Sequence, residues 1–254
     1  MESESRSCAF RRCVGYIKQI LMLHIKKQEL LSRHTSFGIG GPADMFVEAS
    51  GPLEIAESIE LAIREKTPYF VIGGGTNILF SDAGYRGLVI KISDGGLTIH
   101  GPVIEAGAGI SLQRIVETAR DQGLSGMSNL AGVPGSFGGA LRGNAGAFGT
   151  EIGSLVRRIK VFNKNTGMVR ELEAEACGFM YRESVFKKQS ELIILSAEIV
   201  LTPGDKDTIG REMKRIIVLR ESKHSQSAKC AGSFFVNPIV KDGRLREEFT
   251  RDTG

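Results

Sequence analysis

The sequence predicts an α+β fold, and three observations carry that prediction. Short apolar runs bounded by Gly, Pro or Asn recur along most of the chain and read as strands. Separate segments carry apolar residues at helical spacing. Strands and a helix alternate early, while the later part holds more strand than helix. With 254 residues and 41% hydrophobic content, the chain can bury one large core or two smaller ones.

In order, residues 1–30 read as an extension ending in a short helix. Ile17, Ile20, Leu21 and His24 share one face, with Leu23 beside it. This start is basic and has an apolar patch, but Lys18 and His24 interrupt the patch and no small-residue cleavage site follows. A leading helix is therefore read in place of a targeting segment. "TSFGIGGPADMFVEAS" is turn-rich and enters a strand at Asp44–Glu48. Pro52–Glu65 has helical spacing through Ile55, Ile59, Ala62 and Ile63. "PYFVIGGGTNILFSD" is a buried strand feeding a glycine turn, and "GLVIKI" is a further strand. "GLTIHGPVIEAGAGI", "RRIKVFNKNTGMVREL" and "ELIILSAEIVL" supply more strands, with Asn163–Val169 as a hairpin turn. "SLQRIVETARDQGL" is an amphipathic helix whose C-cap is Gly123. Pro203–Gly204 marks a domain boundary, a helix starts near Asp207, and "AGSFFVNPIV" reads as a strand.

Composition excludes several classes. The net charge of +4 suits anionic ligands, yet Lys and Arg are spread along the chain, which argues against nucleic acid as a partner. No apolar run is long enough to span a bilayer. Cys8, Cys13, Cys177 and Cys230 form no C-x-x-C pair and match no zinc spacing, so no metal is expected. Reduced thiols point to a cytoplasmic protein.

Two glycine-rich stretches stand out. Gly73-Gly74-Gly75-Thr76-Asn77 follows a strand, and such a loop can turn backbone N–H groups toward a phosphate. It is not the dinucleotide fingerprint, because Ile78 occupies the third glycine position. A plain tight turn remains the alternative. "LAGVPGSFGGALRGNAGAFG", residues 130–149, holds seven glycines and four alanines. It is no flexible linker, since Pro134, Phe137, Leu141 and Phe148 favour burial. Bare, buried backbone fits the close approach of a large flat ligand; a packed turn region is the alternative.

"LSRHTSFGIGGPAD", "VIGGGTNILFSD", "GVPGSFGGALRGNAGAFG", "MYRESVFK" and "CAGSFFVNP" come in this order between about Leu31 and Pro238. Together they closely resemble the UDP-N-acetylenolpyruvoylglucosamine reductase family, flavoproteins that complete UDP-N-acetylmuramate for peptidoglycan. The resemblance implies a two-lobed FAD-binding fold of the vanillyl-alcohol-oxidase type, followed by a truncated α/β substrate-binding domain. Its FAD-binding part would span residues 31–202, with lobes of about 31–92 and 93–202, and the substrate domain residues 203–254. It implies FAD as cofactor, NADPH as co-substrate, a UDP-sugar substrate and a monomer. Gly73, Gly74, Gly75, Thr76 and Asn77 would hold the FAD pyrophosphate through backbone N–H groups. Gly135, Ser136, Gly138 and Gly139 would line the other side of the flavin, with Asn144, Ala145 and Gly146 near the isoalloxazine. No histidine lies in Gly73–Asp82, so FAD is expected to be non-covalent. Arg182 would face the substrate carboxylate and Ser233 would donate a proton. Tyr181 would bound the pocket, and Lys223 and Asn237 would meet the UDP diphosphate.

The sequence departs from the family pattern at named places. His224-Ser225 replaces Gln-Pro, Val236 stands where a polar residue is common, and Gly38 stands where Lys or Arg is common. The family's following segment, with a third catalytic residue, a glutamate, has no counterpart after Asp242. The third domain is therefore expected to be incomplete. The function expected is NADPH-dependent reduction of an enolpyruvyl group, or alternatively an impaired FAD-binding remnant.

Overall fold

The computed structural model describes residues 23–93, 95–223, 229–233, 237 and 242–245. The first sheet contains β1 (Lys26–Leu30), β2 (Pro42–Ala49), β3 (Tyr69–Ile72) and β4 (Tyr85–Ile92), in the order β1-β2-β4-β3. β2, β3 and β4 are parallel and β1 is antiparallel to β2. Helix α1 (Pro52–Arg64) makes the crossover, starting with Pro52 in its first turn. Its stripe of Ile55, Ile59 and Ala62 packs on Val47, Leu88 and Ile90. Ile63, placed on that stripe by its spacing, is exposed.

β1 corrects the expectation of a helix running to residue 30. Lys26 pairs with Phe46 and Leu30 with Pro42, so the segment covers the otherwise open edge of β2. Pairing with a distant strand overrides a weak local helical pattern. Ile17, Ile20 and Leu21 lie outside the described residues.

The second sheet is antiparallel throughout. Its part of the chain runs through β5 (Leu97–His100), β6 (Val103–Gly107), α2 (Leu112–Asp121), the two-residue β7 (Leu124–Ser125), α3 (Phe137–Arg142), β8 (Gly146–Ala147) and β9 (Thr150–Glu151). It continues through β10 (Val156–Asn163), β11 (Met168–Glu173), the single turn α4 (Val185–Lys188), β12 (Leu192–Val200), β13 (Thr202–Pro203) and α5 (Lys206–Lys223). The sheet order is β11-β10-β12-β6-β5. The period-two alternation of β10 explains its position between two cores. Ile159 and Val161 enter the larger core with α2, α3 and α5, whereas Phe162, on the opposite face, joins the core of the first sheet.

Local signals set the helix ends. Ser111 caps α2, its Oγ accepting the Arg114 N–H at 3.1 Å. Gly123 follows α2 at φ +64, and its N–H returns to the Arg120 carbonyl, as expected of a terminating glycine. The hairpin turn after Asn163 is also present, with Asn163 Oδ1 accepting the Asn165 N–H at 2.9 Å. Pro203–Gly204 carries no break in the core. The Gly204 N–H donates to the Gly123 carbonyl at 2.7 Å, and Ile209, Met213 and Ile216 of α5 lie in the same buried cluster as β6, β10 and β12. Among the described residues, no helix is long and apolar enough to cross a membrane.

Candidate active site

The loop after β3 and the 130–149 stretch touch directly. The Gly74 N–H donates to Ser136 Oγ at 3.1 Å, and Thr76 Oγ1 donates to the Pro134 carbonyl at 3.4 Å. A Cβ on Gly74 would sit 2.8 Å from the Ser136 nitrogen, and one on Gly135 would sit 2.6 Å from Thr76 Oγ1. Gly75 has φ +66, and a Cβ there would lie 1.8 Å from the His34 carbonyl oxygen. Close approach of separate backbone segments therefore demands these glycines. The backbone N–H groups of Gly75, Thr76 and Asn77 find no acceptor among the described residues. Three consecutive free donors suit an anion.

The second stretch is partly buried. Phe137 and Leu141 are fully buried, but Pro134 is exposed and Phe148 is 42% exposed, so those two do not enter the core as their apolar character predicts. Ser136 caps α3, its Oγ accepting the Gly139 N–H at 3.4 Å. Gly138 lets α3 lie on the turn after β6, where a Cβ would meet Ala108 Cβ at 2.7 Å. Gly139 is exposed, and Ala145 and Gly146 are half-buried.

Arg182 sits on the tight turn Met180–Glu183, closed by backbone hydrogen bonds in both directions. Its φ is +56, a conformation usually left to Gly or Asn. The Arg182 Nη2 donates to the Gly146 carbonyl at 2.9 Å, and its guanidinium lies 5.6 Å from the centre of the Tyr181 ring. Lys187 Nζ donates to the Arg182 carbonyl. Buried Ser184 donates through Oγ to the Arg142 carbonyl at 2.6 Å. A strained non-glycine residue held by its surroundings is a recognised mark of functional sites. The half-exposed Tyr181 stands beside it.

Ser233 belongs to a segment resting on the Gly73–Asn77 loop. Asn77 Nδ2 donates to the Ala231 carbonyl at 2.7 Å and to the Ser233 carbonyl at 3.2 Å. Ser36 Oγ donates to the Cys230 carbonyl at 2.7 Å. Ala231–Ser233 has no regular structure. The other residues of the strand expected there lie outside the described residues, apart from Asn237, which is exposed. Lys223 ends α5, and its side chain lies outside the described residues. The Lys229 Cδ lies 3.3 Å from where a Cβ of Gly38 would be, so Lys229 occupies space that a longer side chain at 38 would take. The roles of Ser36, Ser184 and the Asn77 amide were missed by sequence reasoning. A polar residue beside a glycine turn was the only signal available for Ser36.

A crevice of 340 Å³ lined by Ser50, Ser93, Thr98, Glu105, Lys160 and Ser196 also opens between the two sheets. It shares no residue with the site above. The two described thiols differ sharply. Burial pushes the Cys177 thiol up to about 11, whereas Cys230 is exposed. Iodoacetamide at pH 8 should therefore label Cys230 and spare Cys177 in peptide mapping of the native protein. Equal labelling of both would show that the core around Cys177 opens.

The fold and the two glycine walls define a flavoprotein of the two-lobed FAD-binding class. Residues 43–173 match the FAD binding domain family. A cholesterol oxidase from Brevibacterium sterolicum shares the fold at TM-score 0.52 and 15% identity, over 72% of this chain and 38% of that one. The chain belongs to the UDP-N-acetylenolpyruvoylglucosamine reductase family. The relative of that name from Solibacter usitatus (strain Ellin6076) is 41% identical over 212 residues, covering 84% of this chain and 67% of the relative. The one from Syntrophus aciditrophicus (strain SB) is 36% identical over 230 residues, covering 87% and 72%. The crystal structure of the Thermus caldophilus reductase superposes at TM-score 0.72 and 29% identity, covering 90% of this chain and 81% of that one.

Proposed function

We propose that this protein reduces the enolpyruvyl group of UDP-N-acetylglucosamine-enolpyruvate to UDP-N-acetylmuramate, a peptidoglycan precursor, with NADPH as reductant. The observation that carries this reading is Arg182, held in a strained turn and bonded to the glycine wall at Gly146. The residues present fit FAD: Gly75, Thr76 and Asn77 offer backbone donors with no acceptor among the described residues, and Ser136 joins the second wall to this loop. Gly135, Ser136, Gly138 and Gly139 would line the flavin, with the backbone of Asn144, Ala145 and Gly146 beyond them. The cofactor is held without a covalent bond, because Gly73–Asp82 has no histidine. When bound, FAD would supply the redox chemistry, hydride transfer from NADPH to the enolpyruvyl β-carbon.

The residues of the chain then meet a charge and a proton. Charge builds on the substrate α-carbon and spreads into its carboxylate. The Arg182 guanidinium can pair with both carboxylate oxygens and stabilise that charge. The Ser233 hydroxyl gives its proton to the α-carbon, a much stronger base than water. Tyr181 bounds the pocket, and Lys223 and Asn237 meet the diphosphate. The enzyme works as a cytoplasmic monomer.

The test is spectroscopic. The purified chain should show a flavin band that NADPH bleaches without oxygen and that the enolpyruvyl sugar restores. Bleaching without recovery would favour a flavin-binding remnant. A chain that binds no flavin would contradict both.

A further inference from the structure

We infer that Asn144 is a positioning residue for Arg182, an inference resting on the proposed pairing of Arg182 with the substrate carboxylate. Asn144 is 1% exposed, and φ +41 turns its side chain inward from the glycine wall. Its amide is fully engaged within the protein. Nδ2 donates to Glu151 Oε2 at 2.8 Å and to the Met180 carbonyl at 2.8 Å, while Oδ1 accepts the Gly153 N–H at 2.9 Å. Its side chain therefore serves the protein and not a ligand.

The Met180 carbonyl is the first residue of the turn that carries Arg182, and it also accepts the Glu183 N–H at 2.9 Å. Left-handed backbone at a non-glycine residue relaxes unless its neighbours hold it. Three bonds join residues 142–146 to residues 180–184: Ser184 to Arg142, Asn144 to Met180, and Arg182 to Gly146. Of these, only the Asn144 bond is a side-chain bond to the start of the turn. It ties the guanidinium's anchor to the wall that would face the flavin. Loss of that bond should let the turn relax and move the guanidinium away from the carboxylate.

The test separates the Met180 bond from the rest of the network. Asn144→Ala removes every contact, so it serves only as a reference. The double variant Asn144→Asp with Glu151→Gln keeps an acceptor for Gly153 and regains a donor from residue 151, but loses the donor to Met180. Binding of two nucleotide sugars to the flavin-loaded protein is then titrated: the enolpyruvyl sugar, and UDP-N-acetylglucosamine, which lacks the carboxylate. The double variant should hold flavin and bind UDP-N-acetylglucosamine as the unaltered protein does. Its affinity for the enolpyruvyl sugar should fall about 10-fold or more, the size of a lost charge-assisted pair. Glu151→Gln alone should change neither. Equal weakening of both sugars, weakening of neither, or loss of flavin would overturn the inference, because the amide would then be structural only. If Arg182→Ala retains the preference for the enolpyruvyl sugar, the carboxylate pairing itself fails, which is a distinct result.

Discussion

Replacing Ser233 by alanine should leave NADPH bleaching of the flavin intact and slow reoxidation by the enolpyruvyl sugar by about 10²–10⁴-fold, the usual contribution of a positioned proton donor. The geometry makes this substitution unusually clean. Among the described residues, the bonds that hold the segment go to the backbone carbonyls of Cys230, Ala231 and Ser233, from Ser36 and Asn77. None of them uses the Ser233 hydroxyl. Alanine therefore keeps the segment seated on the glycine loop and removes only the proton. Rapid-mixing measurement of each half-reaction separates the two effects. Equal loss in both would mean that Ser233 is structural.

The second large effect is expected at Gly75. Alanine there must accept φ +66, which costs about 1–2 kcal/mol for a left-handed residue. Its Cβ would also meet the His34 carbonyl oxygen at 1.8 Å, backbone that can yield only by moving the first strand's exit. Overpacking of this kind costs about 1–3 kcal/mol. Gly75→Ala should thus lose bound flavin and melt several degrees lower. Gly51→Ala is the control, since a Cβ at Gly51 meets nothing within 4 Å. Flavin absorbance after gel filtration, with melting curves for both variants, decides the matter. Retention of full flavin by Gly75→Ala would show that the loop can relax without harm.

The elements most legible in the sequence were those whose pattern is local. α1 and α2 follow from apolar spacing and end residues, and the Asn163 turn from its turn chemistry. β1 was hidden because its reason is a separate strand: its residues pair with β2 from Leu30 opposite Pro42 to Lys26 opposite Phe46, and no pattern within the segment announces that partner. The site divides in the same way. Glycine loops announce themselves by composition, but nothing in "MYRES" says that Arg182 adopts positive φ. Ser233 is tied to Asn77 across 156 residues, and no local pattern encodes such a bond. Phe148 misleads for a related reason: it is 42% exposed, and apolar character alone does not say which side chains the rest of the chain covers.

We propose that the two glycine walls, Arg182 and Ser233 make one flavin site. A crystal structure with FAD and the enolpyruvyl sugar bound tests it most directly. It should place the pyrophosphate on the N–H groups of Gly75, Thr76 and Asn77, and the isoalloxazine against residues 135–146. Arg182 should meet the carboxylate, and the Ser233 hydroxyl should point at the α-carbon within about 3.5 Å, near-attack distance. A flavin bound elsewhere, or Arg182 and Ser233 reaching different ligands, would contradict the account.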